Sequence, residues 1–345
     1  MSTNKALQVF EPSNGYRTAS KVVELPIPSA TPGNVVVRNT YASVAAYDTL
    51  VFTNKFMFMG EQKLPFTAGL EAIGVVTQVG DGVESVKVGD SVTYTGAGAF
   101  AEYTLVPAAV VTKTPSSEAD AMSYASAVWA EASLQEAGEI KSSETVFVTA
   151  AAGGTGQYVV QLAKKAGNTV IGMTSSDKKA EFLRELGCDR VINYSNEDVS
   201  QVLSNEYPQG VDLIFDSVGG ELLVSLVPHL AMHGRVIAFG ITSEYNNMSG
   251  SGEKDSAKKT EGSLSSLLLS LIARCASIRG ISLTADPTPL AKHRPRVMEL
   301  FAKGELKSGI DDVKFDGLTS IPDALEYVMA RKNIGKVVVK IQSLP

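Results

Sequence analysis

The sequence predicts an α/β chain in which a β-rich N-terminal domain of barrel-like character precedes a doubly wound parallel sheet. Three observations carry this. A strand, a Gly-rich turn, a helix and a second strand follow one another without interruption from Thr145 to Thr174. Strand and helix patterns then keep alternating as far as Gly240, as a parallel sheet covered on both faces requires. The first third of the chain has a different texture, with short β-branched and aromatic runs between Pro and Gly turns.

In that first region the runs Ala6–Phe10, Val35–Thr40, Gly74–Val79, Ser91–Tyr94 and Ala101–Val106 read as strands, and Pro32-Gly33-Asn34, Gly80-Asp81-Gly82 and Gly89-Asp90 as turns. A helical stretch, Glu118–Glu139, leads into the central unit. There Thr145–Ala150 is a short apolar strand that runs into Ala151, Gly153, Gly154, Thr155 and Gly156. The apolar face Val159, Val160, Leu162, Ala163 and Ala166 predicts a helix that Gly167 and Asn168 stop before the strand Thr169–Thr174. Glycines at such a turn let the backbone approach a pyrophosphate, and the first N–H groups of the helix meet its charge. The spacing Ala151-x-Gly153-x-x-Gly156, with Ala in its first place, is that of a dinucleotide-binding turn.

The end of the second strand selects the nucleotide. NAD-specific folds place a carboxylate there, on the ribose hydroxyls. Here the strand ends on Thr174-Ser175-Ser176, followed by Asp177, Lys178 and Lys179. Small hydroxyls leave room for an additional phosphate and a Lys in the next turn can neutralise it, so the sequence predicts NADPH. Ser175 or Ser176 also suits the N-cap of a helix Asp177–Leu186.

Beyond this unit Val191–Tyr194, Val211–Ser217 and Arg235–Gly240 read as further strands. The polar tract Thr242–Ser266 is long for a connection and reads as an irregular lid. A helix Leu264–Arg274, a strand Ser277–Leu283, a helix Ile321–Arg331 and a closing strand Lys336–Ile341 complete the pattern, the last two returning to the first domain. The expected domains are 1–123 with 290–345, and 124–289.

Composition bounds the partners. A hydrophobic fraction of 44% in 345 residues suffices for two cores, and a net charge of −6 argues against nucleic acid or an anionic membrane surface. With two cysteines, Cys188 and Cys275, neither a disulfide framework nor a four-Cys zinc lobe can form. No apolar run reaches membrane-spanning length and no signal-peptide pattern opens the chain, so the expected location is the cytoplasm.

Several segments together carry a resemblance: Leu64–Gly74 (LPFTAGLEAIG), Val86–Val92 (VKVGDSV), Ala99–Tyr103 (AFAEY), the Ala150–Gly156 turn, Phe215–Gly220 (FDSVGG) and Asn333–Val338 (NIGKVV). In this order they resemble the medium-chain dehydrogenase/reductase superfamily, within it the zinc-free quinone oxidoreductase and enone reductase branch. Thr174–Lys179 and Gly187–Tyr194 are similar to the prostaglandin reductases, above all the prostaglandin reductase-3-like type. The resemblance spans nearly the whole chain. It implies a GroES-like catalytic barrel, a Rossmann NADPH-binding domain and a homodimer through the nucleotide-binding sheets. It also implies reduction of the activated C=C bond of an α,β-unsaturated ketone or aldehyde, such as a 2-alkenal or a 15-oxoprostaglandin, or of a quinone.

Carried onto this sequence, the resemblance gives Gly153, Gly154, Thr155 and Gly156 to the pyrophosphate, and Ser175, Ser176, Lys179 and Tyr194 to the 2′-phosphate end. It places Ser217, Gly219, Phe239, Gly240 and Ile241 along the nicotinamide, and gives Asn333 and Gly335 to the cofactor from the C-terminal segment. Tyr245 matches a tyrosine near the substrate.

Two departures from the superfamily matter. Its zinc alcohol dehydrogenases carry Gly-His-Glu, whereas Gly69-Leu70-Glu71 stands here, and Leu cannot ligate zinc. His229 and His233 lie four apart on a helix that Gly234 ends, without a third ligand, so no metal is expected. The Val-Asn-x-x-Asp motif is Val44-Ala45-Ala46-Tyr47-Asp48, so an amide is lost and Tyr47 supplies a hydroxyl instead. Without a Lewis acid, a conjugated substrate is the easier acceptor, because hydrogen bonds can stabilise the enolate. Tyr245, Tyr47 and Tyr41 are the candidate donors, and the run Phe52–Met59 is a candidate substrate wall. The rival class is an NADPH-bound, non-catalytic protein of crystallin-like or RNA-binding kind, which the acidic balance disfavours for RNA.

Overall fold

The computed structural model describes residues 3–56, 60–245 and 256–342, and for 256–263 the backbone alone. In chain order the strands are β1 (Thr3–Val9), β2 (Ser20–Pro26), β3 (Asn34–Val44), β4 (Phe66–Thr67), β5 (Glu71–Val79), β6 (Ser91–Thr95), β7 (Tyr103–Pro107) and β8 (Val111–Lys113). They continue as β9 (Thr145–Val148), β10 (Thr169–Thr174), β11 (Arg190–Asn193), β12 (Val211–Asp216), β13 (Leu230–Ala238), β14 (Ser277–Gly280), β15 (Phe315–Asp316) and β16 (Val337–Lys340). Two compact units result, Met1–Ala125 with Ser308–Pro345, and Ser126–Lys307.

The first unit is built from β-strands. One sheet runs β2-β1-β4 and a larger one β15-β16-β3-β5-β6-β8, with β7 also pairing β3. The long strand β3 is its axis, antiparallel to β5, β7 and β16. Val35, Val37, Val76, Val92, Phe100 and Val339 are buried in one core, which Ile321 and Leu325 of the helix Ile321–Met329 complete. Strand β2 is absent from the sequence prediction for a physical reason. It pairs on one side only and exposes Lys21, Glu24 and Pro26, which dilute its apolar signal.

The second unit has a parallel sheet in the order β11-β10-β9-β12-β13-β14. Along β9, Val146 and Val148 enter one core and Phe147 the other, and β12 divides Leu213 and Phe215 from Ile214 in the same way. Both faces are therefore covered, as continuous apolar strands demand. The stretch predicted as one helix over Glu118–Glu139 is a 3₁₀ turn Ala119–Met122, an α-helix Ser123–Ala132 and a π-helical turn Ser133–Ala137.

Three expectations change here. The helix predicted from Leu264 begins at Ser256, inside the tract read as irregular, and residues 246–255 of that tract lie outside the described residues. The helix Thr288–Ala302 belongs to the second unit, and Pro289 and Pro295 within it mask its pattern. His229 and His233 do not share a helix, since His229 closes a short 3₁₀ turn and His233 sits in β13 with a left-handed φ of 63°.

Candidate active site

The strand order of the second unit reverses between β9 and β12, and doubly wound sheets bind ligands in the crevice beyond the strand ends at such a point. The Gly-rich turn lies there. It leaves β9 at Val148, passes Ala150 with φ 45° and enters the helix Gly156–Lys165 through Thr155. Gly156 is required by space: a Cβ on it would stand 2.5 Å from Ala150 O and 2.9 Å from Ala151 Cα. The helix thus packs close against the turn, and its N–H groups at Gln157 and Tyr158 donate back to Gly153 O at 3.3 Å and Thr155 O at 3.0 Å, so the turn sits at the positive end of the helix dipole, where an anionic ligand is favoured.

The end of β10 supplies the second part. Thr174 is in register with Asn193 of β11, so Ser175 and Tyr194 leave neighbouring strand ends side by side. Ser176 caps the helix Asp177–Glu185, its hydroxyl accepting the Lys179 N–H at 3.4 Å. The Ser195 hydroxyl donates to Ser175 O at 2.9 Å, and Asn193 Nδ2 donates to Asp177 Oδ1 at 2.8 Å, which ties the two strand ends together. Tyr194 is exposed, whereas Lys179 keeps only 9% of its surface. Hydroxyls and a lysine in the first helical turn suit a phosphate monoester, and no acidic side chain stands at 174–176 to contest it.

The third part is the loop beyond β12. Ser217, Val218 and Gly219 lie against Gly240–Ser243 beyond β13: Thr242 N–H donates to Ser217 O at 3.2 Å and Ser243 N–H to Val218 O at 3.1 Å. Phe239 stacks on Phe215 at 5.0 Å and meets Trp129 edge-on at 6.1 Å. Ile241 is exposed at the end of this layer. Tyr245 follows, half-buried, and burial raises its phenol above the ordinary range, opposed by a hydrogen bond with the Ile241 backbone. Thr149 and Asp216, which the sequence reading does not single out, join the Gly-rich turn to this loop: Thr149 Oγ1 donates to Asp216 Oδ1 at 2.9 Å. The signal available in sequence was an acidic residue directly after the apolar run Leu213–Phe215.

The residues assigned in the first unit are not gathered in the same way. Tyr47 precedes the helix Asp48–Phe52 and packs against Phe56, with ring centres 6.1 Å apart. Tyr41 lies on β3 in a different cluster, with Ile73 and Met122, and its hydroxyl meets Glu118 Oε2 at 3.5 Å. Burial, then the charge of Glu118, raises the Tyr41 phenol. Phe52 is a core residue of this unit, and Met57–Met59 of the expected substrate wall lie outside the described residues. Asn333 Nδ2 donates to Gly335 O at 2.8 Å, and Gly335 takes a left-handed φ of 80°.

The acidic residues of the two departing motifs, Glu71 and Asp48, meet in one buried cluster of this unit. Lys336 Nζ donates to Glu71 Oε2 at 2.7 Å, both side chains being almost wholly buried. Asp48 is fully buried, accepts the Ala45 N–H at 2.9 Å and feels the charges of Glu71 and Lys336. Burial pushes its carboxyl up to about 8. Among the described residues no group of three His, Cys, Asp or Glu side chains is arranged to hold a metal ion, and no helix is long and apolar enough to cross a membrane.

A parallel sheet with a phosphate-binding turn at its switch point, in a chain that also carries a separate β unit, defines a dinucleotide-binding fold with a companion domain. Family models agree: residues 31–116 match the alcohol dehydrogenase GroES-like domain and residues 154–278 the zinc-binding dehydrogenase domain. The chain is 39% identical to a probable quinone oxidoreductase of Leishmania amazonensis over 99% of both chains. It is 38% identical to prostaglandin reductase-3 of Mus musculus, over 92% of this chain and 84% of that one. A mycobacterial structure solved with NADPH superposes with a TM-score of 0.82 at 25% identity, covering 98% of this chain and 100% of the other. The chain belongs to the medium-chain dehydrogenase/reductase superfamily, on its quinone oxidoreductase and prostaglandin reductase branch.

Proposed function

We propose that this chain is a zinc-independent, NADPH-dependent reductase of the activated C=C bond of α,β-unsaturated ketones or aldehydes. The observation that carries the reading is the switch-point edge of the second unit. There a close-packed glycine turn after β9 lies between paired hydroxyls at the end of β10 and a backbone-lined loop beyond β12. These suit, in turn, a pyrophosphate, a 2′-phosphate and a flat carboxamide-bearing ring. Gly153, Gly154, Thr155 and Gly156 hold the first, and Ser175, Ser176, Lys179 and Tyr194 the second. Ser217, Gly219, Phe239, Gly240 and Ile241 line the third. The bound cofactor supplies a hydride.

The chain's own residues exclude water, orient the acceptor and stabilise the charge that develops on the carbonyl oxygen. Tyr245 fits that last role, because its phenol stays protonated at neutral pH and can donate a hydrogen bond to an oxyanion. Tyr47 and Tyr41 are retained as candidate donors from the sequence, and solvent protonates the α-carbon. Leu70 in place of a ligating His supports a reaction without zinc, for which a conjugated acceptor is suited. The name of the Leishmania relative favours a second reading, quinone reduction by the same site.

The test is loss of NADPH absorbance with 2-nonenal, 2-cyclohexenone, 1,4-benzoquinone and 9,10-phenanthrenequinone, with NADH in parallel. Turnover of the enones, with product heavier by two hydrogens, is expected. Turnover of quinones alone moves the reading to the second, and tight NADPH binding without turnover favours a non-catalytic NADPH-bound protein. Y245F should lower kcat by about tenfold, the worth of one hydrogen bond to a charged oxygen; an unchanged kcat removes Tyr245 from the mechanism.

Self-association through the second unit belongs to the same proposal. Strand β14 is an edge of the sheet, and the preceding helix exposes Leu264, Leu268, Leu269 and Ile272 by 50–73%. An unpaired edge beside such an apolar face favours a second copy of this chain. Light scattering should give twice the chain mass, and L269E with I272E should halve it; a wild-type monomer would sink this part.

A further inference from the structure

Asp216 ends β12 at the switch point, its backbone in register with Ala238 of β13 and its carboxylate fully buried. Pairing between β9 and β12 ends at Val148 and Phe215, and every group that Asp216 engages lies beyond that pair. Its Oδ1 accepts the Thr149 hydroxyl at 2.9 Å and the Val218 N–H at 3.1 Å, and its Oδ2 accepts the Gly219 N–H at 2.9 Å. The Thr149 hydroxyl in turn accepts the Ser217 N–H at 2.9 Å. The hydroxyl has one hydrogen and two acceptors in reach, Asp216 Oδ1 at 2.9 Å and Phe215 O at 3.4 Å, and the shorter contact gives the relay Ser217 to Thr149, Thr149 to Asp216.

The arrangement consumes the three successive N–H groups of Ser217, Val218 and Gly219. It thereby fixes where the carbonyl groups of Ser217 and Val218 point, and onto these Thr242 and Ser243 dock. The Ser243 hydroxyl adds a bond to Val218 O at 2.8 Å. Gly219, at φ 70°, allows the approach, since a Cβ on it would stand 2.9 Å from Ile241 Cγ2. Thr149 is also the residue from which the chain enters the Gly-rich turn.

We infer that Thr149 and Asp216 are positioning residues of the cofactor site, a clasp that holds the nicotinamide-lining loop Ser217–Gly219 in register with the pyrophosphate turn. The inference rests on the NADPH reading and deepens it, since it names the device that sets the span between the two ends of the dinucleotide. Burying a carboxylate costs free energy that a well-packed apolar pair would not, so a clasp of this composition is understood through the loop shape it fixes. Hydride transfer is sensitive to that shape, because a misplacement of about 1 Å can cost two orders of magnitude in rate.

The experiment compares T149V, which keeps volume and removes the relay, with T149S, which keeps the hydroxyl. NADPH affinity is read by fluorescence titration, and kcat, both KM values and the primary deuterium isotope effect with NADPH deuterated at the transferred position are read with 2-nonenal. T149V should weaken NADPH binding by about tenfold, as loss of one to two hydrogen bonds implies. It should also lower kcat and raise the isotope effect as hydride transfer becomes limiting, with KM for the aldehyde unchanged, and T149S should restore all three. A merely structural role would shift the melting temperature and leave the isotope effect alone.

Wild-type affinity, kcat and isotope effect in folded T149V overturn the inference, as does a defect that T149S leaves unrepaired. If T149V does not fold, D216N, which retains Thr149, is held to the same two results. A wild-type chain that binds no NADPH overturns the cofactor reading itself, and the clasp with it, whereas a wild-type reductase beside an unaffected T149V overturns the clasp alone.

Discussion

Asp48 and Asp216 are both fully buried carboxylates, one in each unit, and they are furnished in opposite ways. Asp216 takes three donors, two of them successive backbone N–H groups, so burial raises its carboxyl while Val218, Thr149 and Gly219 pull it back. Asp48 takes one backbone N–H through Oδ2, and its Oδ1 has no hydrogen-bond partner among the described residues. The neighbouring charges oppose one another, Glu71 raising its carboxyl and Lys336 lowering it. Burial wins at Asp48, which near neutral pH holds its proton. A donor-rich loop can keep a buried carboxylate as an acceptor; an ion pair that a neighbour already occupies cannot.

The comparison makes its largest prediction at Asp48. In the unfolded chain this carboxyl titrates near 3.8 and in the folded protein at about 8, so the folded state binds the extra proton between those values. Its contribution to stability is therefore neutral below the lower value, turns unfavourable as pH rises and is fully adverse above the upper one. D48N removes the titration, and its stability advantage over the wild type should grow between the two values to at most about 6 kcal/mol by linkage. Urea unfolding near the lower and near the upper of these pH values checks it. A pH-independent difference between the two proteins would show that Asp48 does not hold the proton.

How much of this the sequence carried depends on the distance over which each feature is encoded. The β9, turn, helix and β10 unit is local. Continuous apolar strand runs and a helical apolar pattern, the N-cap at Ser176 and the glycine that the packing at Gly156 demands all lie within one window, so the elements and the turn were legible. Strand β2 and the helix Thr288–Ala302 were lost because partial exposure in one and two prolines in the other blur the same periodicity. The clasp joins residues 67 apart and the Glu71–Lys336 pair residues 265 apart. Side-chain bonds of that span leave no periodic trace. Asp48 and Glu71 were visible only as letters in two motifs, and Lys336, their cationic neighbour, lies in a third.

The same substitution at Asp216 should have the opposite sign and a smaller size. Asn offers one acceptor and one donor where Asp offers two acceptors, so in D216N an NH₂ group must face either the Gly219 N–H or the pair of donors on Oδ1. One buried donor is then left without an acceptor, which costs about 1–3 kcal/mol. Because Asp216 is surrounded by donors rather than by opposed charges, that loss should vary less with pH than the D48N gain. Paired urea titrations of D48N and D216N read both signs in one experiment. If D216N gains stability as D48N does, the three donors do not compensate burial, and the two carboxylates differ only in place.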